Sequence, residues 1–192
     1  MGRHDPLEDT VQHFGSLSAP LFGLAICALW FFARPGGSTR LKLATASALA
    51  SAAIGLMINQ LIASLWFRER PFVAHPGETV LVAHRSVDPS FPSDHATAAF
   101  AIAFAVLFFN RRLGILFLLG ATAIGVSRVL LGLHYPSDVL AGAAVGLASA
   151  VLVTTIGRPT IEALVGWLSR LSDPVVAGAT RRIAAARRSL RR

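Results

Sequence analysis

The sequence predicts an all-α fold: a polytopic transmembrane helix bundle with about five spanning helices plus an amphipathic C-terminal interfacial helix. Three observations predict it. Of 192 residues, 54% are hydrophobic and only 15% are charged, whereas a soluble domain carries roughly 25% charged residues. The mean hydropathy is +0.59. Stretches 43–67 and 139–157 hold no charged residue, and a helix needs roughly 20 apolar residues to cross a bilayer. Helix is the expected state, because open strand edges cannot be satisfied in lipid.

The apolar runs fall at about 16–33, 41–67, 95–110, 113–133 and 136–157. The third is short: at 1.5 Å per residue it rises only about 22 Å, so its start is expected below the membrane surface. Lys and Arg set the orientation. Arg34, Arg40 and Lys42 follow the first run, Arg111 and Arg112 follow the third, and eight arginines follow the fifth. These segments belong on one side, the cytoplasmic one. The N-terminal segment 1–15, the 68–94 loop and the 134–135 connection then face outward, with the transmembrane domain over 16–157. Trp30 and Trp66 stand near run ends, where interfacial aromatics are expected.

Residues 158–192 form a cytoplasmic tail. In "PTIEALVGWLSRL", Ile161, Leu164, Val165, Leu168 and Leu171 share one helical face, as a helix lying along the inner surface requires. The final "TRRIAAARRSLRR" fits either a basic helix on anionic lipid or a disordered basic tail. Cys27 is the single cysteine, which excludes an intrachain disulfide. The acidic N-terminus argues against a cleaved signal peptide. The net charge of +8 is concentrated beside apolar runs and in the tail, so it reads as membrane orientation, with no nucleic-acid partner.

Against this background the polar residues of three fragments stand out. Arg128 lies inside an apolar run, where an ionisable group is expensive and points to function; the alternative is an arginine snorkelling to the surface. In "RERPF" at 68–72, Pro71 disfavours helical geometry at Arg70 and turns the chain, aiming Arg70 at Arg128. Two guanidinium forks together suit the oxygens of a phosphate, unless Glu69, Glu78 or Asp88 simply pairs with one. "PSDH" at 92–95 opens the third run with Ser93 as N-cap, and a helix N-terminus attracts phosphate. The Asp94 carboxylate is expected to turn away from such an anion, leaving its backbone N–H available. "HYPSD" at 134–138 opens the fifth run. A carboxylate at Asp138 within reach of His134 would fix its tautomer and leave the other ring nitrogen free to attack. Each fragment alone could be an ordinary helix cap. Two Arg, two His, a Ser and an Asp converging at one membrane face make that combination improbable. A metal site from His75, His84, His95, His134, Asp88, Asp94 and Asp138 lacks a close-spaced ligand pair, and nearby arginines oppose a cation. No cofactor or metal is expected.

"RP" at 70–71, "PSDH" at 92–95 and "SR-x5-H-x3-D" at 127–138 resemble the three signatures of the type 2 phosphatidic acid phosphatase superfamily. "RPFVAH", "SFPSDHAT" and "HYPSDVLAG" look closest to its bacterial undecaprenyl-diphosphate phosphatases of the bacitracin-resistance type. The resemblance spans about 41–157. It implies a metal-independent phosphohistidine mechanism in a bacterial cell membrane, with an outward site and a polyprenyl diphosphate lipid as substrate. Matched residue by residue, His134 is the nucleophile, Asp138 its partner, and His95 the acid and then the base. Arg70, Ser93, the Asp94 backbone and Arg128 hold phosphate. Two positions depart from the superfamily pattern. Ala63 stands where a lysine is usual, with Arg68 a candidate accessory replacement, and Asp94 replaces a common glycine. The alternatives are a phosphatase for phosphatidylglycerol phosphate or phosphatidic acid, and a transporter with these residues lining its pathway.

Overall fold

The computed structural model describes residues 21–31, 39–75 and 88–189. The N-terminal segment 1–15 and residues Arg34, Glu78, His84 and Arg85 lie outside them. The described chain is all-helical, in the order α1 (Leu21–Phe31), α2 (Thr39–Leu65), α3 (Pro71–Ala74), α4 (Asp94–Phe109), α5 (Arg111–Leu130), α6 (Pro136–Thr155) and α7 (Arg158–Ser189). Three helices, α2, α5 and α6, are long and apolar enough to cross a membrane, and α1 and α4 are shorter apolar helices. Leu61, Leu116, Leu119 and Leu140 are all more than half exposed. On a membrane protein such faces meet lipid chains rather than water.

Helix α4 is the central element. Along it Ala96, Ala99, Ala101, Ala103 and Ala105 are all buried, because small side chains let neighbouring helices approach closely when lipid supplies no hydrophobic drive. Helix α6 approaches α4 closely. A Cβ on Gly142 would lie 2.8 Å from the Ser93 carbonyl oxygen, and one on Gly146 would lie 2.7 Å from the Ala101 nitrogen. Ile26, Ala48, Ile102, Val106 and Ala150 form the core further along the bundle. Turns are tight. Asn110 alone links α4 to α5 and caps the latter, accepting from the Leu113 N–H at 3.1 Å. Gly132 takes the left-handed φ of 66° after α5, a conformation that costs glycine nothing.

Because consecutive helices run antiparallel through such turns, the end of α2, the start of α4, the end of α5 and the start of α6 meet at one end of the bundle. Helix α7 attaches at the other. The expected amphipathic segment is helical, and its apolar stripe divides between the bundle and the exposed surface. Ile161 and Val165 are buried against Ala46 and Val153, whereas Leu164 and Leu171 stay exposed. The reason is a polar anchor further along. Buried Lys42 pairs with Asp173 and donates to Ser169 Oγ at 3.1 Å, while Trp30 Nε1 donates to Ser172 Oγ at 3.3 Å. These bonds rotate α7 so that the 161–165–169–172 line faces the bundle. Lys42 is thereby committed a helix length away from the motif residues.

Candidate active site

The segment that leaves α2 carries the first motif. Trp66 to Arg70 is non-helical, and Arg70 is extended at φ −76°, ψ 150°, with Pro71 opening α3. This is the turn expected from the proline. Arg70 Nε donates to the Asp88 backbone carbonyl at 3.0 Å and Nη1 to the Leu133 carbonyl at 3.3 Å. Burial pulls the Arg70 pKa below its ordinary value, against the opposing charges of Asp88, Asp94 and Asp138.

Ser93 is the N-cap of α4, its Oγ accepting from the Ala96 N–H at 3.5 Å, and its own N–H donates to the Asp138 carbonyl at 3.1 Å. That second bond ties the start of α4 to the first turn of α6. Asp94 Oδ1 accepts from Asn59 Nδ2 of α2 at 2.8 Å, so its carboxylate is drawn toward α2. Asn59 also donates to Thr97 Oγ1 at 2.9 Å. Arg128 does not snorkel to the surface. It is 6% exposed in the last turn of α5, and its carbonyl accepts from the N–H groups of Leu133 and His134.

These pieces enclose a cavity of about 410 Å³ whose lining includes Arg70, Asp94, His95, Arg128 and His134. Five of the eight residues singled out in the sequence thus share one space. Ser93, Asp138 and Arg68 do not line it. The expected His134–Asp138 pairing takes a different form. His134 Nδ1 lies 2.8 Å from the Ser90 carbonyl oxygen and 3.8 Å from Asp138 Oδ2. A carbonyl only accepts, so Nδ1 carries the hydrogen and the lone pair resides on Nε2. Nε2 sits 3.4 Å from Arg70 Nη1. Asp138 is fully buried behind the imidazole. Its Oδ2 accepts from Ser90 Oγ at 2.5 Å and from the Tyr135 N–H at 2.9 Å. It is therefore both the helix cap and the carboxylate nearest the histidine.

Chemically, the cavity offers an imidazole lone pair, an exposed second imidazole at His95 and two guanidinium groups. Such a set can attack an electrophilic phosphorus, exchange a proton with a leaving oxygen and hold the charge that develops. Sequence reasoning missed Ser90 and Asn59. The Ser90 contribution to His134 comes from the backbone and has no side-chain signature. Asn59 was visible, a polar residue within an uncharged run, and such residues pack or function by hydrogen bonding.

The "PAP2 superfamily" family model matches residues 44–161. Undecaprenyl-diphosphatase BcrC of Bacillus subtilis is 35% identical over 169 residues, covering 86% of this chain and 84% of that protein. Decaprenylphosphoryl-5-phosphoribose phosphatase of Mycobacterium tuberculosis is also 35% identical, over 148 residues and 77% of each chain. Among solved structures, Aquifex aeolicus LpxE superposes with a TM-score of 0.63 at 23% identity, over 79% of this chain and 87% of that one.

Proposed function

The chain belongs to the PAP2 superfamily and is a multi-pass membrane phosphatase, and from that premise we propose that it hydrolyses undecaprenyl diphosphate to undecaprenyl phosphate and inorganic phosphate. The observation that carries the chemistry is the His134 ring: Nδ1 is bound to the Ser90 carbonyl, and Nε2 is presented to the cavity that Arg70, Arg128 and His95 also line. In the first step Nε2 attacks the terminal phosphorus. The P–N bond forms as the bond to the bridging oxygen breaks, and His95 gives its proton to the departing lipid phosphate. In the second, His95 takes a proton from water, whose oxygen attacks phosphorus. The P–N bond breaks, releasing inorganic phosphate and neutral His134. Arg70, Arg128 and the backbone N–H of Asp94 at the start of α4 stabilise the equatorial oxygens, which is most of what phosphoryl transfer requires.

The choice of lipid is supported by the similarity to the Bacillus subtilis relative and by the "RPFVAH", "SFPSDHAT" and "HYPSDVLAG" fragments. The positive charge at the opposite end of the bundle supports a site on the outer face of a bacterial cell membrane. There it would recycle the carrier lipid of wall-polymer synthesis and confer bacitracin resistance. The mycobacterial relative keeps a second reading open, a phosphatase for another lipid phosphate. Phosphate release from purified protein decides between them, using undecaprenyl diphosphate, decaprenylphosphoryl-5-phosphoribose, phosphatidylglycerol phosphate and phosphatidic acid. The highest kcat/KM is expected with the diphosphate. A higher value with any other lipid overturns the substrate assignment, and no hydrolysis of any overturns the enzymatic one.

A further inference from the structure

Arg68 has no task in that scheme, and it does not line the phosphate cavity. Its guanidinium is engaged elsewhere. Nη1 donates to Asp138 Oδ1 at 2.7 Å and to Ser137 Oγ at 2.8 Å, and Cζ lies 4.0 Å from the centre of the Tyr135 ring. The Arg68 carbonyl accepts from the Ser90 N–H at 2.8 Å. Arg68 thus grips three residues of the α6 entrance, and its backbone holds the residue whose carbonyl orients His134.

We infer that Arg68 is a positioning residue that acts on the reaction through Asp138, and that it is not a phosphate ligand. The inference rests on the phosphohistidine reading of the site. A carboxylate with no exposed surface is costly unless paired, and Arg68 supplies the pair. The pairing also sets how strongly His134 feels that charge from 3.8 Å. An unopposed carboxylate there favours a protonated imidazole, whose Nε2 has no lone pair with which to attack. Arg68 damps that pull in the resting enzyme. The carboxylate remains near enough to stabilise the positive ring that forms once Nε2 bonds to phosphorus. Other charges face this pair: Arg70 from the same segment, Asp88 from the segment before α4, Asp94 and His95 from α4, and Arg128 from α5. Arg68 differs from them in bonding directly to the Asp138 carboxylate while not lining the cavity.

The test compares purified full-length wild type with Arg68→Gln, Arg68→Lys, Asp138→Asn and Arg68→Gln/Asp138→Asn, on the best lipid of the panel and with orthovanadate as the phosphate mimic. Losing a hydrogen bond to a charged group, Arg68→Gln is expected to lower kcat about 10- to 100-fold. Its vanadate Ki should stay near that of wild type, whereas Arg70→Gln should raise it. The acid limb of its kcat/KM profile should move to higher pH, because His134 then faces an unscreened carboxylate. In the Asp138→Asn background the same change should cost less than about twofold, as expected when one residue acts through the other. Arg68→Lys keeps the charge and should restore the limb without restoring full kcat, and it carries the same readouts if Arg68→Gln does not fold. A vanadate Ki raised as in Arg70→Gln, an unmoved acid limb, or multiplying losses in the double variant would each overturn the inference while leaving the phosphatase reading intact. An inactive wild type across the panel would overturn that reading, and this one with it.

Discussion

Gly142→Ala is expected to injure the enzyme more than a methyl added at a bundle glycine that lies far from α4. The new Cβ would lie 2.8 Å from the Ser93 carbonyl oxygen, 2.9 Å from Thr97 Oγ1 and 3.1 Å from Ala96 Cβ. The threonine can rotate, but the carbonyl belongs to the first turn of α4. Ordinary contact begins at 3.4 Å, so α4 and α6 must part by about 0.6 Å. The Ser93 N–H to Asp138 carbonyl bond, now 3.1 Å, would stretch to about 3.7 Å, beyond hydrogen-bonding range. Overpacking costs about 1–3 kcal/mol, and the stretched bond adds about 1 kcal/mol. Replacing a helical glycine returns about 1 kcal/mol, so the steric cost wins. A displacement of this size between His95 on α4 and His134 before α6 should lower kcat about tenfold, given that 1 Å of misplacement can cost about 100-fold. Phosphate release and thermal unfolding in detergent measure both effects. The control is Gly166→Ala, whose Cβ meets nothing within 4 Å. If Gly142→Ala matches that control in kcat and melting temperature, the close α4–α6 contact does not set the geometry of the site.

Other outcomes follow from the same geometry. His134→Ala should fold and insert yet lose turnover, with an acid-labile phosphoenzyme trapped from wild type alone; an active variant would remove His134 as nucleophile. Arg128→Lys should be costly despite its retained charge, because an ammonium cannot make the planar two-pronged contact; near-normal kinetics would make Arg128 structural. Activity should survive chelation of divalent cations, since Arg70 and Arg128 already face the cavity; loss on chelation with rescue by one metal would refute the scheme. In a Cys27→Ala background, His75→Cys should label with an impermeant maleimide from outside intact spheroplasts and Arg112→Cys only after permeabilisation. The reverse pattern would put the chemistry on the cytoplasmic leaflet.

What the sequence made legible is what lipid makes conspicuous. Arg128, His134 and Asp138 could be read because polar groups at the mouths of apolar runs demand a reason, and the structure gathers His95, Arg70 and Arg128 around His134. The partner of His134 Nδ1 was not legible, because a backbone carbonyl is present at every position and only folding selects the one at Ser90. Which side of α7 packs on the bundle was not legible for a related reason. Its apolar stripe runs through Leu164 and Leu171, but the Lys42–Asp173 pair and the Trp30–Ser172 bond decide which side packs. Those partners lie 127 residues or more away in the chain, beyond any periodicity argument.

The tripeptide Arg68-Glu69-Arg70 joins the two scales. In an extended chain alternate side chains share a face, and Pro71 keeps Arg70 extended. Both arginines therefore turn inward while Glu69 is exposed. They then divide by depth. Arg68 meets the carboxylate behind His134, and Arg70 meets the ring nitrogen in front of it at 3.4 Å. One substitution separates this arrangement from simple charge accumulation. Pro71→Ala would free residues 66–70 to continue α2 as helix, where positions two apart lie on different faces. Such a variant should keep both positive charges yet lose vanadate affinity and kcat together. Wild-type values for both would mean that charge alone, without the extended backbone, suffices at this membrane face.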